Sequence, residues 1–414
     1  MTFSNPWFTA TLLGVVLLFH LDLLVALLNV RQFAKPLPPR MAALYDEEKL
    51  KLCAEYHGRS ARLDLMRDSF FLAVLLMFWL FGGFAWLDRW STALPFGTVW
   101  NGVAAIAALL LTRALLALPF DAWDTFGVET EFGFNRTTPG TFIADRLKGL
   151  FLSALLGLPL LALVLWFFQT QRWAAAYAWG SLAIFSLLMT WLAPRLIMPL
   201  FMKFQPLEDG GLKQAILDLA ARLHFPVAEV SVVDGSRRSS KANAFFAGFG
   251  RTRRIALFDT LVSSHEQDEL LAVLAHEIGH SQRGHVPRHL AVGLLESALL
   301  FALLHFALQA PGLYQAFGVS GQPIALGLVF FSLLYRPAAL LLSLISSALS
   351  RRHEYEADAY AREAMGSATP LVTALQKLST DHLAHPWPHP LAVALHYSHP
   401  PLQQRLAALE SSPA

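Results

Sequence analysis

The chain has 414 residues, 55% of them hydrophobic and only 15% charged, with a mean hydropathy of +0.45. A soluble domain carries about 25% charged residues, so this composition excludes an ordinary soluble protein and points to several membrane spans. The formal net charge of +2 is too small to imply a nucleic-acid partner. The single cysteine, Cys53, can form neither an intramolecular disulfide nor a thiolate metal site, and it is expected only to pack or to face solvent.

In chain order, the first apolar run is Phe8 to Val30. No Lys or Arg precedes it and no small-residue cleavage site follows, so it reads as a retained helix. Roughly 20 residues cross a bilayer, and six further runs have that length and composition, at about 69–87, 97–119, 147–168, 173–193, 289–310 and 323–349. They must be helical, because lipid offers no partner to unpaired backbone groups. The expected fold class is a mostly α membrane protein with seven transmembrane helices and a small α+β lobe. The expected division is 1–193 (five helices and their loops), 194–288 (the lobe), 289–349 (helices six and seven) and 350–414 (a C-terminal part). Arg31, Lys35, Arg40, Lys49, Lys51, Arg59, Arg62 and Arg67 follow the first helix, whereas the loops after the second and fourth carry only Arg89 and Arg172. This asymmetry predicts an N-terminus outside, with the lobe and the C-terminus cytoplasmic, and seven spans agree by parity.

Within the lobe, apolar residues at helical spacing predict a helix from Leu212 to His224 that Pro226 ends. Strands are expected at Val227–Val233, Asn243–Phe249 and Arg254–Phe258, the last two joined by a turn at Gly250-Arg251-Thr252-Arg253. Ser264 and Gln267 have capping-box spacing and would open a helix from His265 to about Gln282.

That helix carries His276-Glu277-Ile278-Gly279-His280. Two His four residues apart share one face and converge on one ion, and the Glu between them can serve as general base. Zinc is the metal this pattern implies, and it needs a third protein ligand while keeping a position open. A third His in continuous spacing fails, because Arg283 and Val286 stand at the required positions. His285 and His289 lie too far round the helix. The best source of a carboxylate is His353-Glu354-Tyr355-Glu356-Ala357-Asp358. If the last membrane helix continues into the cytoplasm, Glu354 and Asp358 share a face and Glu356 points away. Glu354 would then bind zinc and Asp358 would orient a ligand imidazole; a solvated helix end is the competing reading of these charges. Near the C-terminus, His399 precedes Arg405, and a His there could donate to an oxyanion or simply pack.

Together, Asn243-Ala244-Phe245-Phe246, Arg254 to Leu261, His276 to His280, Ser350 to Asp358 and His396 to Arg405 resemble the type I CAAX prenyl protease family, the a-factor-converting enzymes; Leu118-Pro119-Phe120 and Gly133-Phe134-Asn135 match upstream. The resemblance implies a barrel of seven helices around a water-filled chamber, with the zinc site facing inward. It implies Glu354 as third ligand, His399 as transition-state donor, Arg405 in support, and Asn243, Ala244 and Phe245 as the edge along which substrate lies. Main-chain pairing makes such an edge physically sensible. Asp22, Arg113, Glu296, His305 and Arg336 fall inside spans, where they would face a chamber or pair between helices, and Arg336-Pro337 would kink the last span. The activity implied is a zinc endopeptidase acting on a peptide or protein, prenylated or not, beside the lipid bilayer. A quality-control protease of the same family and, more remotely, a receptor or transporter with structural zinc are the alternatives.

Overall fold

The computed structural model describes residues 4–247 and 253–411. The turn expected at 250–252 and the Phe249 end of its strand lie outside them. Helix α1 (Pro6–Arg31) opens where the Asn5 side chain accepts from the Trp7 amide and Pro6 fills the first turn. The next span departs from expectation. Instead of one straight helix over 69–87, α2 (Glu47–Leu80) and α3 (Gly83–Thr92) meet at a 67° bend. Gly82 adopts φ +82°, and the Phe78 ring stands where a Cβ on Gly83 would lie, so this glycine pair is where the chain turns. Then come α4 (Gly97–Trp123), α5 (Pro139–Thr170) and α6 (Ala174–Leu192).

The lobe follows: β1 (Phe204–Pro206), α7 (Gly211–Arg222), β2 (Glu229–Val233), β3 (Ala244–Ala247), β4 (Arg254–Phe258) and α8 (Gln267–Gln282). The capping box of α8 is Glu266 with Glu269, not Ser264 with Gln267. Ser264 Oγ bonds His265 Nδ1 instead, and two carboxylates at the positive helix end serve the orphan amides better. The chain returns through α9 (His285–Ala307), α10 (Pro311–Ala316) and α11 (Ile324–Met365), then ends in α12 (Thr369–Asp381), α13 (Pro390–His396) and α14 (Leu402–Ser411). Among the described residues six helices are long and apolar enough to cross a membrane, or seven if the bent α2–α3 pair is one span.

These helices form a wall rather than a packed bundle. Neighbouring contacts run α1–α2–α4–α5–α6–α9–α11 and back to α1, closing a ring, and α11 also packs on α4 and α5. In each of the six unpaired spans, at most 17% of the most apolar stretch is buried, so most of each span's apolar surface is left open. Aromatic residues plug one end: Trp79 stacks on Phe317 at 4.5 Å, Phe317 stacks on Phe330 at 3.9 Å, and Phe8 and Phe84 meet Trp79, Phe317 and Phe330 edge-on. Some charged residues within the spans find protein partners. Asp22 lies 3.6 Å from His396, Arg113 sits over Phe71, and Glu296 accepts from Ser346.

The lobe covers the other end. Its sheet has the order β1-β2-β4-β3, with β2 and β4 parallel and the outer pairs antiparallel. One core joins Ile216, Val230, Leu257, Leu270 and Leu274 to Ala361, Leu371 and Leu409, so the last turns of α11, with α12 and α14, pack directly on the sheet and α8. Cys53 is buried against Tyr45, Phe134 and Leu383.

Candidate metal centre

Two helices build the site. Helix α8 presents His276 and His280 one turn apart, and α11 runs unbroken through Pro337 far enough past the last span to present Glu354 and Asp358 one turn apart. The helices meet closely at Gly279, where an added Cβ would stand 3.2 Å from Ala357 Cα and 3.1 Å from the Tyr360 ring. A residue with no side chain lets one backbone reach the other.

Three side chains converge there. His276 Nε2 lies 3.1 Å from His280 Nε2 and 3.5 Å from Glu354 Oε2, while Glu354 Oε1 is 3.3 Å from His280 Nε2. Bonds of 2.0–2.1 Å at tetrahedral angles put zinc ligand atoms roughly 3.3 Å apart, so the spacing fits such an ion. The two imidazole planes are 82° apart, which lets both nitrogens point at one place. Glu354 Oε2 is buried with no hydrogen-bond donor, an orphan that a cation would satisfy. Burial would lower the His276 pKa, but Asp358 and Glu354 outweigh it and push it up to about 9. The surroundings therefore favour positive charge at this point.

The supporting contacts are continuous. His276 Nδ1 lies 2.8 Å from Asp358 Oδ1, and Arg405, on α14, grips Asp358 with two bonds of 2.6 and 2.8 Å while approaching Glu354 to 3.6 Å. His399 Nε2 stands 3.3 Å from Glu354 Oε1, with Ser398 Oγ 2.9 Å from its Nδ1. Its side chain is 64% exposed, yet desolvation by the surrounding protein lowers its pKa. Burial likewise raises the Glu277 pKa, a shift that makes a carboxylate a better proton acceptor near neutral pH.

The structure thus brings together His276, Glu277, His280, Glu354, Asp358, His399 and Arg405. Asn243, Ala244 and Phe245 lie at the start of β3, the edge of the sheet beside α8. Ala244 and Phe246 pack toward α8, and Phe245 faces Phe204 and Phe258 on the other side. Among the described residues no strand pairs with the outer edge of β3.

The sequence reading missed His285 and Glu356. His285 stands past the helix end expected at about Gln282, and helical spacing says nothing of where a residue beyond that end turns. The helix ends at Gln282, Gly284 takes φ +69°, and the next helix starts with His285 turned back to put Nδ1 2.9 Å from His280 Nδ1. The Gly was the available signal, since glycine commonly follows a helix end.

Residues 26–203 match the family described as CAAX prenyl protease N-terminal, five membrane helices, and residues 206–412 match Peptidase family M48. The chain is 34% identical to an Arabidopsis thaliana "CAAX prenyl protease 1 homolog", covering 97% of both chains. It is 34% identical to the Saccharomyces cerevisiae "CAAX prenyl protease 1", covering 92% of this chain and 91% of that one. A human "CAAX prenyl protease 1 homolog" is 32% identical over 90% and 88%. The crystal structure of S. mikatae Ste24p superposes with a TM-score of 0.93 at 33% identity, covering 98% and 99%. The chain belongs to Peptidase family M48, among the CAAX prenyl protease 1 homologues, and is a multi-pass integral-membrane metalloprotease.

Proposed function

We propose that this metalloprotease uses one zinc ion held by His276, His280 and Glu354 to cleave prenylated proteins near their C-terminus. The convergence of two perpendicular imidazoles and one buried carboxylate at tetrahedral spacing carries the reading. The family names supply the substrate class, since the relatives are CAAX prenyl proteases.

A peptide adds to the outer edge of β3 at Asn243, Ala244 and Phe245 through main-chain hydrogen bonds. Bound zinc supplies Lewis acidity toward the scissile carbonyl and the attacking water. Glu277 takes the proton from that water and delivers it to the leaving amine. With hydrogen on His399 Nε2, a tautomer Ser398 Oγ can match by donating to Nδ1, that N–H stabilises the oxyanion. Asp358, fixed by Arg405, holds His276 in position. Residues 194–288 and 350–414 act as one cytoplasmic unit, with 1–193 and 289–349 forming the membrane part and the N-terminus outside. Exposed large apolar residues on the spans, such as Phe151, Ile184, Leu295 and Ile345, suit that membrane setting.

The test offers purified enzyme a farnesylated C-terminal CAAX peptide and its unprenylated twin, with and without chelator. Release of the C-terminal tripeptide from the farnesylated peptide, lost on chelation and restored by zinc, is expected. Cleavage only of unprenylated, unfolded chains would replace this substrate with a quality-control role.

A further inference from the structure

The same ion site has a second, separately built support. His285 Nδ1 faces His280 Nδ1 at 2.9 Å, and His285 Nε2 lies 3.1 Å from Glu356 Oε2. Two ring nitrogens at that distance share one proton, because two N–H groups would collide and two lone pairs would repel. If His280 offers Nε2 to the ion, its proton sits on Nδ1 and points at His285. His285 must then accept at Nδ1 and carry its own proton on Nε2, which donates to Glu356. Each atom in the line has one role, and no alternative tautomer satisfies both contacts. Glu356 is itself held by Arg352 at 3.0 Å and Arg288 at 3.6 Å. His285 is 2% exposed and its ring stacks on His353 at 4.0 Å, nearly parallel at 7°; His353 Nδ1 in turn meets His289 Nε2 at 3.0 Å.

We infer that His285 and Glu356 are positioning residues for the metal ligand His280, a chain parallel to the one Asp358 and Arg405 form for His276. The inference rests on the zinc assignment above.

His285, His353 and Glu356 also lie close enough to suggest a second metal site, but the geometry favours the positioning role. Parallel stacked imidazoles hold their lone pairs in parallel planes, unlike the 82° pair at the first site. Arg288 and Arg352 already neutralise Glu356, so a cation there would meet two guanidinium groups.

The test measures zinc content and zinc release into excess chelator on the full-length, zinc-loaded enzyme in detergent. Outer partners of ligand imidazoles typically change metal affinity about 10–100-fold, so His285→Leu is expected to release zinc faster by about that factor. Glu356→Ala is expected to move release in the same direction by less. The double variant should release no faster than His285→Leu alone, because the two act in series. His285→Gln, whose amide can accept from His280 and donate to Glu356, should recover part of the loss. Wild-type release rates in His285→Leu, or two independent additive effects, would overturn the inference. Two zinc equivalents in the wild type falling to one in His285→Leu would overturn it in favour of a second metal. If His285→Leu does not fold, Glu356→Ala decides alone, and unchanged release there overturns the inference. A wild type that binds no zinc at all would sink the ligand assignment itself, which separates the two failures.

Discussion

At the scale of single residues, Gly279 shows why the motif works only in its partner's company. Nothing in His276-Glu277-Ile278-Gly279-His280 requires glycine for metal binding, yet the position faces Ala357 and Tyr360 at 3.1–3.2 Å for a hypothetical Cβ. Gly279→Val would push α8 from α11 and separate His276 and His280 from Glu354. Overpacking of this kind costs about 1–3 kcal/mol, and zinc content should fall with stability; full zinc occupancy at wild-type stability in that variant would contradict the close approach. Arg405 makes the complementary point. Its guanidinium spans Asp358 with two bonds and reaches Glu354. Lys cannot reproduce a bidentate grip, so Arg405→Lys is expected to lose zinc affinity nearly as badly as Arg405→Ala, measured by chelator competition. The paired His and the intervening Glu were legible in the sequence because helical spacing alone sets their shared face. His285 was not, because its approach to His280 depends on the turn at Gly284.

At the scale of elements, long helices were legible, and the end of α8 near Gln282 with them, but not every break and cap. Apolar runs located the spans, but the break at Gly82 and the cap of α8 depend on backbone conformation and on which carboxylate reaches an amide. Glu354 could be placed only on the condition that the last span continued, and α11 runs from Ile324 to Met365. The capping residue Glu269 also ties α8 to α12. Burial would raise its pKa, but Lys377 Nζ at 2.7 Å and the Glu266 amide outweigh that and lower it. A depressed folded pKa contributes stability above the unfolded value of about 4.3 and loses it as pH falls through the folded value. Lys377→Ala is therefore expected to destabilise the protein at pH 7 by about 1–2 kcal/mol, at the low end for a charged hydrogen bond because Lys377 is partly screened by water. The gap between variant and wild type in thermal unfolding should narrow below about pH 4. A gap independent of pH would contradict the role given to Glu269.

At the scale of the whole molecule, the ring of helices meets the protease lobe where α11 runs on past its span to carry Glu354 to the metal centre. Composition revealed the spans, but ring closure did not follow from it, since apolar helices pack equally well into a solid bundle; only the family resemblance implied a chamber. The proposed orientation is open to direct labelling because the native cysteine is buried. Ser320 lies in an exposed position between α10 and α11, and Ser367 in one just past α11. Ser320→Cys should react with a membrane-impermeant thiol reagent in intact cells and Ser367→Cys only after permeabilisation; the reverse pattern would invert the topology.

The central claim is that His276 to His280, completed by Glu354, forms a metal-dependent proteolytic centre with Glu277 as its base. It is tested most directly by measuring zinc content and peptide cleavage on the same preparations of wild type and Glu277→Gln. One zinc per chain in both, with turnover in the wild type alone, is the result expected. Turnover by Glu277→Gln near the wild-type rate, or cleavage by wild type stripped of metal, would contradict it.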